Sequence, residues 1–308
     1  MNKEIELLYI EYTKKCNSKC ITCDYWKNKN EERILNDDEI LNIISYLDNL
    51  KVILFTGGEA LIYSDEMFEL AEKIKIKNPF IELRLLTNGF LVSKNIDKIS
   101  KYFDTVVFSF DADNKDTYFN IRGVDWFDKV VTSIKKVKEK GLKVRLRCMV
   151  LEENYLRLDK IIKLANDLNV NQISFIPLDS ESIVGFERNN NSVSIKNNID
   201  INLLENEIKD IILNNEELID KGVLTENGNN LRNIIKFYKK ELHNIYCNSP
   251  YESIVLQMDG KIKNCFFTSK TFDVKNNTID NIFNSKEFIN IRKCSKNREL
   301  KECEKCVL

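Results

Sequence analysis

Apolar positions in the first part of the chain follow two periods in turn. Runs rich in β-branched and aromatic residues at 7–12, 52–56, 81–87, 105–111, 143–150 and 172–177 have strand character. Between them, DDEILNIISYLDNL, SDEMFELAEKIKIK, SKNIDKISKYF, WFDKVVTSIKKVKEKG and LRLDKIIKLANDL space their apolar residues three and four apart, which predicts amphipathic helices. Asn36 and Ser64 stand where N-caps belong, and Gly141 where a C-cap glycine belongs. Six strand–helix repeats predict an α/β fold built on a parallel sheet, in which ligands gather at the C-terminal ends of the strands.

The pattern changes after residue 178. An Asn-rich stretch, ERNNNSVSIKNNID, is followed by two helical segments, NLLENEIKDIILNNEELID and GNNLRNIIKFYKKELH, which together predict a linker or lid. Beyond it, SIVLQMDGKIKNCFF predicts a hairpin with Asp259-Gly260 as a two-residue turn, and NNTIDNIFNSKEFINIRK predicts a helix. The organisation expected is three units, 1–184, 185–245 and 246–308.

Composition narrows the function. With 47 Lys and Arg against 48 Asp and Glu, the net charge of −1 offers no basic footprint for nucleic acid. No run approaches the roughly 18 apolar residues of a membrane span, and the first residues, MNKEIELLYIEY, look like a strand rather than a secretory leader. A cytoplasmic location is expected, and there nine cysteines argue for metal or cluster ligation over disulfides. The one histidine, His243, lies in a helical run and leaves no material for a histidine-rich zinc site or a Cys/His nucleophile.

Cys16, Cys20 and Cys23 form C-x-x-x-C-x-x-C directly after the first strand. Three thiolates on one loop suit three corners of a cubane cluster and leave one iron open, whereas a zinc loop needs a fourth ligand that no nearby Cys or His supplies. The triplet resembles the signature of the radical S-adenosylmethionine (SAM) superfamily, whose open iron binds the amino and carboxylate groups of SAM. Thr22 departs from that pattern, which usually has a bulky residue before the last cysteine, so Tyr25 or Trp26 is expected to face the adenine instead. The resemblance implies a partial (β/α)6 TIM-like barrel. It also identifies Gly57, Gly58 and Glu59, at the end of the second strand, with the motif that holds the SAM amino group.

Further site residues sit at the other strand ends. Asn88 closes the third strand in LLTNG, and in FSFDA the alternation sets Ser109 and Asp111 on one face and Phe108 and Phe110 on the other. By resemblance, Asn88, Ser109 and Asp111 contact SAM. Arg145, Arg147 and Met149 share the interior face of the fifth strand, and Cys148 falls with the helix-packed face as inert core. A guanidinium binds a carboxylate through two parallel hydrogen bonds, so Arg147 is assigned the SAM carboxylate, with Arg122 in competition.

Cys247, Cys265, Cys303 and Cys306 supply four thiolates for one closed site, which by physics alone fits zinc almost as well as [4Fe–4S]. Together with the barrel, this spacing resembles the twitch domain, the shortened form of the SPASM domain. The resemblance implies a β-hairpin-plus-helix iron–sulfur domain and a second [4Fe–4S] cluster. Cys294 is left over, as a buried spare, a substitute ligand or a hydrogen-atom donor.

By resemblance, reduction of the first cluster cleaves SAM to a 5′-deoxyadenosyl radical, which takes hydrogen from a substrate carbon, and the auxiliary cluster accepts the substrate's electron. Dehydrogenation or cross-link formation is expected, with epimerisation through Cys294 as the alternative. A non-catalytic iron–sulfur or zinc-stabilised interaction protein is the alternative of another class. Asp179, Ser182, Glu187 and Arg188 are expected at the substrate. Only fifteen residues precede Cys16, so the substrate is expected to be a small molecule, or a peptide presented by a separate leader-binding protein. The expected electron donor is of flavodoxin or ferredoxin type.

Overall fold

A computed structural model describes residues 4–28, 33–178, 198–225, 228–241 and 247–303. The positions singled out at Asp179, Ser182, Glu187, Arg188, His243 and Cys306 lie outside the described residues. Strands β1 (Leu7–Thr13), β2 (Val52–Gly57), β3 (Glu82–Thr87), β4 (Thr105–Ser109), β5 (Lys143–Val150) and β6 (Gln172–Pro177) run parallel, each beside the next in sequence. Helices α1 (Asp37–Ser45), α2 (Ser64–Lys77), α3 (Ile96–Tyr102), α4 (Lys115–Arg122), α5 (Phe127–Glu139) and α6 (Leu158–Asp167) connect them.

Local chemistry explains the boundaries. Asn36 caps α1 through a reciprocal capping box with Glu39. Ser64 is not a cap: a 3-10 turn, Ala60–Tyr63, runs straight into α2, so the N-cap position falls on Tyr63 and Ser64 is already helical. Helix α4 was not foreseen, although its signals are present: Asn114 accepts from the Thr117 N–H, and Gly123 ends the helix at φ 67°.

Strands β3, β5 and β6 alternate cleanly between buried and more exposed positions, whereas β2 and β4 are buried almost throughout. Val144, Leu146, Cys148 and Val150 are buried under the helices with Leu83, Leu85, Val106 and Phe108, as expected, and Cys148 is indeed core. Each such side chain contributes roughly 1.5–3 kcal/mol by leaving water. The other face lines a barrel interior. Tyr9 on β1 lies within electrostatic reach of Arg147 on β5, four strand positions away. In a flat sheet those strands are about 19 Å apart, so the sheet must curl.

The C-terminal hairpin extends this wall. Strand β7 (Ser253–Gln257), entered from the short helix α10 (Ser249–Glu252), pairs in parallel with β1, and β8 (Lys261–Lys263) and β9 (Phe272–Asp273) follow antiparallel, giving one nine-stranded sheet among the described residues. Because Leu256 pairs with Ile262, the turn holds three residues, Met258 to Gly260, and not two; Gly260 takes φ 83°. The helix expected beyond it is two, α11 (Ile279–Asn284) and α12 (Lys286–Lys296), with Ser285 capping the second.

The region expected as a linker or lid is packed in its described part. Helices α7 (Ile201–Asn214), α8 (Glu216–Asp220) and α9 (Gly228–Tyr238) send Leu204, Ile208, Ile211 and Leu231 into the core, and Leu224 bridges to Ile173 on β6. The Tyr238 hydroxyl donates to the Val150 carbonyl and accepts from the Leu178 N–H. Among the described residues no helix is long and apolar enough to cross a membrane.

Candidate active site

The loop bearing Cys16, Cys20 and Cys23 is clamped between two glycine contacts. On one side the N–H groups of Gly58 and Glu59 donate to the carbonyls of Thr13 (2.7 Å) and Lys15 (2.8 Å). A Cβ on Gly58 would sit 2.1 Å from the Lys15 oxygen, and one on Gly57, at φ 124°, 2.2 Å from the Thr13 oxygen. On the other side Lys19 and Ile21 donate to the carbonyls of Arg122 (3.1 Å) and Ile121 (3.0 Å), where a Cβ on Gly123 would meet the Lys19 oxygen at 2.4 Å. The Gly57-Gly58 pair thus has a structural duty that the sequence did not reveal, which is close approach of the β2 end to the cysteine loop.

Glu59 points into the protein. Fully buried, it accepts from Thr87 Oγ1 (2.9 and 3.0 Å), the Asn88 N–H (2.8 Å) and the Leu61 N–H (3.3 Å), and burial pushes its pKa up to about 7. Its carboxylate therefore ties the ends of β2 and β3 together. Asn88 carries that tie onward, donating from Nδ2 to Asn17 Oδ1 (2.7 Å) inside the cysteine loop.

Asp111 just beyond β4 is also buried and engaged. It pairs with Arg122 and accepts from the Met149 N–H (2.7 Å); burial raises its pKa, and Arg122 opposes that shift. Arg122 in turn reaches Cys20 Sγ at 3.8 Å. Of the two arginines assigned to the SAM carboxylate, Arg122 is therefore the one beside the cysteine loop. Ser109 lies in register with Arg147 on the interior face, and its hydroxyl makes no hydrogen bond among the described residues.

The loop fits an iron–sulfur cluster. Its three cysteines are half-buried, and burial pushes the Cys16 thiol up to about 12, so a ligand replacing its proton has a thiolate to stabilise. Two buried donors in this region, Ser18 Oγ and Arg122 Nε, have no partner among the described residues and suit the sulfur acceptors of a cluster. Tyr25, one of the two residues expected at the adenine, donates its hydroxyl to Glu11, a buried β1 carboxylate that also accepts from Gln257 Nε2 (2.8 Å). Trp26 is half-buried and donates to the Cys20 carbonyl (3.3 Å).

A second pocket is lined by Cys247, Cys265 and Cys303 with Phe267, Ser295 and Glu302. The Cys247 N–H donates to the Lys296 carbonyl (3.1 Å) at the end of α12, and Arg298 holds the Cys303 carbonyl from Nε (3.1 Å) and Nη2 (2.7 Å). Next to Cys265, the buried Asn264 Oδ1 has no partner among the described residues. Three cysteines lining one pocket supply ligand types that suit a second cluster. Cys294 stands apart: its thiol pairs with Glu299 and does not line the pocket. It is off the buried face of α12, which is made by Phe288, Ile291, Arg292 and Ser295. The expectations of a substitute ligand and of a hydrogen-atom donor, which must reach the reacting carbon, have no geometric support.

The pocket adjoins the barrel interior. Phe266 packs edge-on against Tyr9 with ring centroids 4.7 Å apart. Burial raises the Tyr9 pKa, Arg147 and Arg84 oppose the rise, and Cys265 adds to it. Tyr9, Glu11, Arg84 and the clamp residues Asn17 and Thr87 were all missed by the sequence reading. Alternation on β1 and β3 was the signal that could have found the first three.

Comparison with known proteins agrees with this arrangement. Residues 10–165 match the radical SAM superfamily model, and residues 247–307 match the SPASM iron–sulfur cluster-binding domain. Proteins named probable GTP 3′,8-cyclase are 27% identical in Saccharolobus islandicus over 86% of this chain and 84% of theirs, and 27% identical in Sulfurisphaera tokodaii over 86% and 82%. Among solved structures, anSMEcpe with AdoMet and Cp18Cys peptide superposes with a TM-score of 0.71 at 19% identity, covering 98% of this chain and 86% of that one. Streptococcus suis SuiB bound to S-adenosylmethionine gives 0.69 at 16%, covering 98% and 72%. With both cysteine sites placed and both domain models matched, the chain belongs to the radical SAM superfamily and carries a C-terminal auxiliary-cluster domain, with SAM and [4Fe–4S] clusters as its cofactors.

Proposed function

We propose that the protein is a radical SAM oxidoreductase acting on a carbon of a small-molecule or peptide substrate held inside the barrel. When bound, the cofactors supply an oxidising carbon radical at the strand mouth and a one-electron acceptor at the second pocket. The chain's part is positional. Cys16, Cys20 and Cys23 would hold the first cluster, and Cys247, Cys265 and Cys303, joined by Cys306, the second. Gly57, Gly58, Asn88 and Asp111 fix the first loop in place, while Arg122 offers a donor to SAM. One observation carries the oxidative reading: through Cys265, Phe266 and Tyr9 the second pocket borders the space where substrate must lie. Epimerisation through Cys294 has no comparable support.

The named relatives suggest which substrates to assay first. GTP represents the small molecules, following the probable GTP 3′,8-cyclases, and peptides follow SuiB, solved with its precursor peptide SuiA. The decisive test is anaerobic reconstitution with iron and sulfide, then dithionite and SAM, on the wild type and a Cys16→Ala/Cys20→Ala/Cys23→Ala variant. About eight irons per chain, falling to about four with loss of 5′-deoxyadenosine, is the expected result. Zinc in place of iron and no 5′-deoxyadenosine from the wild type would refute the proposal.

A further inference from the structure

Among the described residues, the barrel interior holds positive charge that no partner neutralises. Arg84 on β3 and Arg145 and Arg147 on β5 are all half-buried. Arg84 is satisfied by Glu82, donating from Nε (2.8 Å) and Nη2 (2.7 Å), and Thr105 Oγ1 donates to the same carboxylate (2.8 Å). Arg145 and Arg147 donate to no group among the described residues. The charges acting on Arg145 are Arg84 and Arg147 against Glu82 alone. Two partly desolvated guanidiniums facing a third are unfavourable by themselves and become favourable when an anion enters between them.

From this juxtaposition we propose that Arg145 and Arg147, with the Ser109 and Tyr9 hydroxyls, form a subsite for an anionic group of the substrate, a phosphate or a carboxylate. The proposal rests on the reading of the barrel as a radical SAM active site and names the class of molecule that site takes. Ser109 is in register with Arg147 and has an unused hydroxyl, and Tyr9 closes the interior from the opposite wall. A planar guanidinium offers paired donors to either anion, and two of them match a doubly charged group. The SAM carboxylate is the competing occupant. Arg122 already stands 3.8 Å from Cys20, whereas Arg147 shares its surroundings with Tyr9, which is also within reach of Cys265 in the second pocket. The β5 pair therefore belongs to the substrate side of the interior.

Equilibrium binding to the reconstituted protein tests this, with sodium pyrophosphate, GTP and glutarate as probes and SAM measured in parallel, for wild type, Arg145→Gln and Arg147→Gln. The expected result is that at least one probe binds the wild type and is weakened about tenfold or more in each variant, while SAM affinity stays within about twofold. Binding by pyrophosphate or GTP identifies a phosphate, and binding by glutarate alone a carboxylate. The unliganded variants should also melt no lower than wild type, because a repulsive charge has been removed. Loss of SAM binding with retained probe binding would assign the arginines to SAM and overturn the subsite, as would failure of every probe to bind the wild type. Lower melting temperatures with unchanged probe binding would mark a structural pair. A wild type that binds neither iron nor SAM would instead refute the radical SAM reading.

Discussion

Replacing Glu59 by Gln should flatten part of the protein's stability profile between pH 5.5 and 7.5. The carboxyl is fully buried, and burial lifts its pKa from 4.5 to about 7 in the folded chain. The folded state then binds the proton more tightly than the unfolded state, so this group's contribution is fully present below pH 4.5 and is lost as pH rises through 7. With those two values the loss between pH 5.5 and 7.5 is about 2 kcal/mol. Glutamine keeps an oxygen for the Asn88 and Leu61 N–H groups but cannot titrate. The assay is anaerobic urea unfolding of the cluster-free protein at both pH values, and the quantity of interest is the difference between wild type and Glu59→Gln. Taking the difference cancels other buried acids such as Glu11 and Asp111, whose pKa values are also raised. A pH-independent difference, or a wild type that gains on Glu59→Gln as pH rises, would refute the argument. Glu59→Ala serves as a control: it strands buried donors at about 1–3 kcal/mol each and should destabilise at both pH values.

Two further outcomes follow from the clamp. Gly58→Ala places a Cβ 2.1 Å from the Lys15 carbonyl, so the cysteine loop must shift; 5′-deoxyadenosine formation should fall about 100-fold while iron in the second pocket is retained, read by cluster-resolved EPR. Asp111→Asn preserves shape but leaves the Arg122 guanidinium buried beside Cys20 without its counter-ion; unfolding free energy should drop by about 3–5 kcal/mol, and a loss below about 1 kcal/mol would show that the pair is not structurally required.

The sequence by itself determined the parallel α/β wall and both cysteine sites. Strand and helix periods are local properties of the chain, so β1 to β6 appear where alternation placed them, with small differences such as β4 ending at Ser109 and not at Asp111. The cysteine spacing is equally local, and with it the superfamily was legible. Tertiary structure decided what the polar residues do once the sheet curls. Glu59 and Asp111 lie on strand ends where the sequence allows a ligand contact, but only the folded chain shows their oxygens taken by Thr87, Asn88, Arg122 and Met149. Gly57 and Gly58 are permissive for any close approach, and the fold chose the cysteine loop. The pairing of β7 with β1 joins segments more than 240 residues apart, which no local period encodes. It sets Phe266 against Tyr9 and makes one interior out of what the sequence presented as two sites. Curvature is the physical reason: alternation says that Tyr9, Arg84, Arg145 and Arg147 share a face, and only closure of the sheet brings that face together.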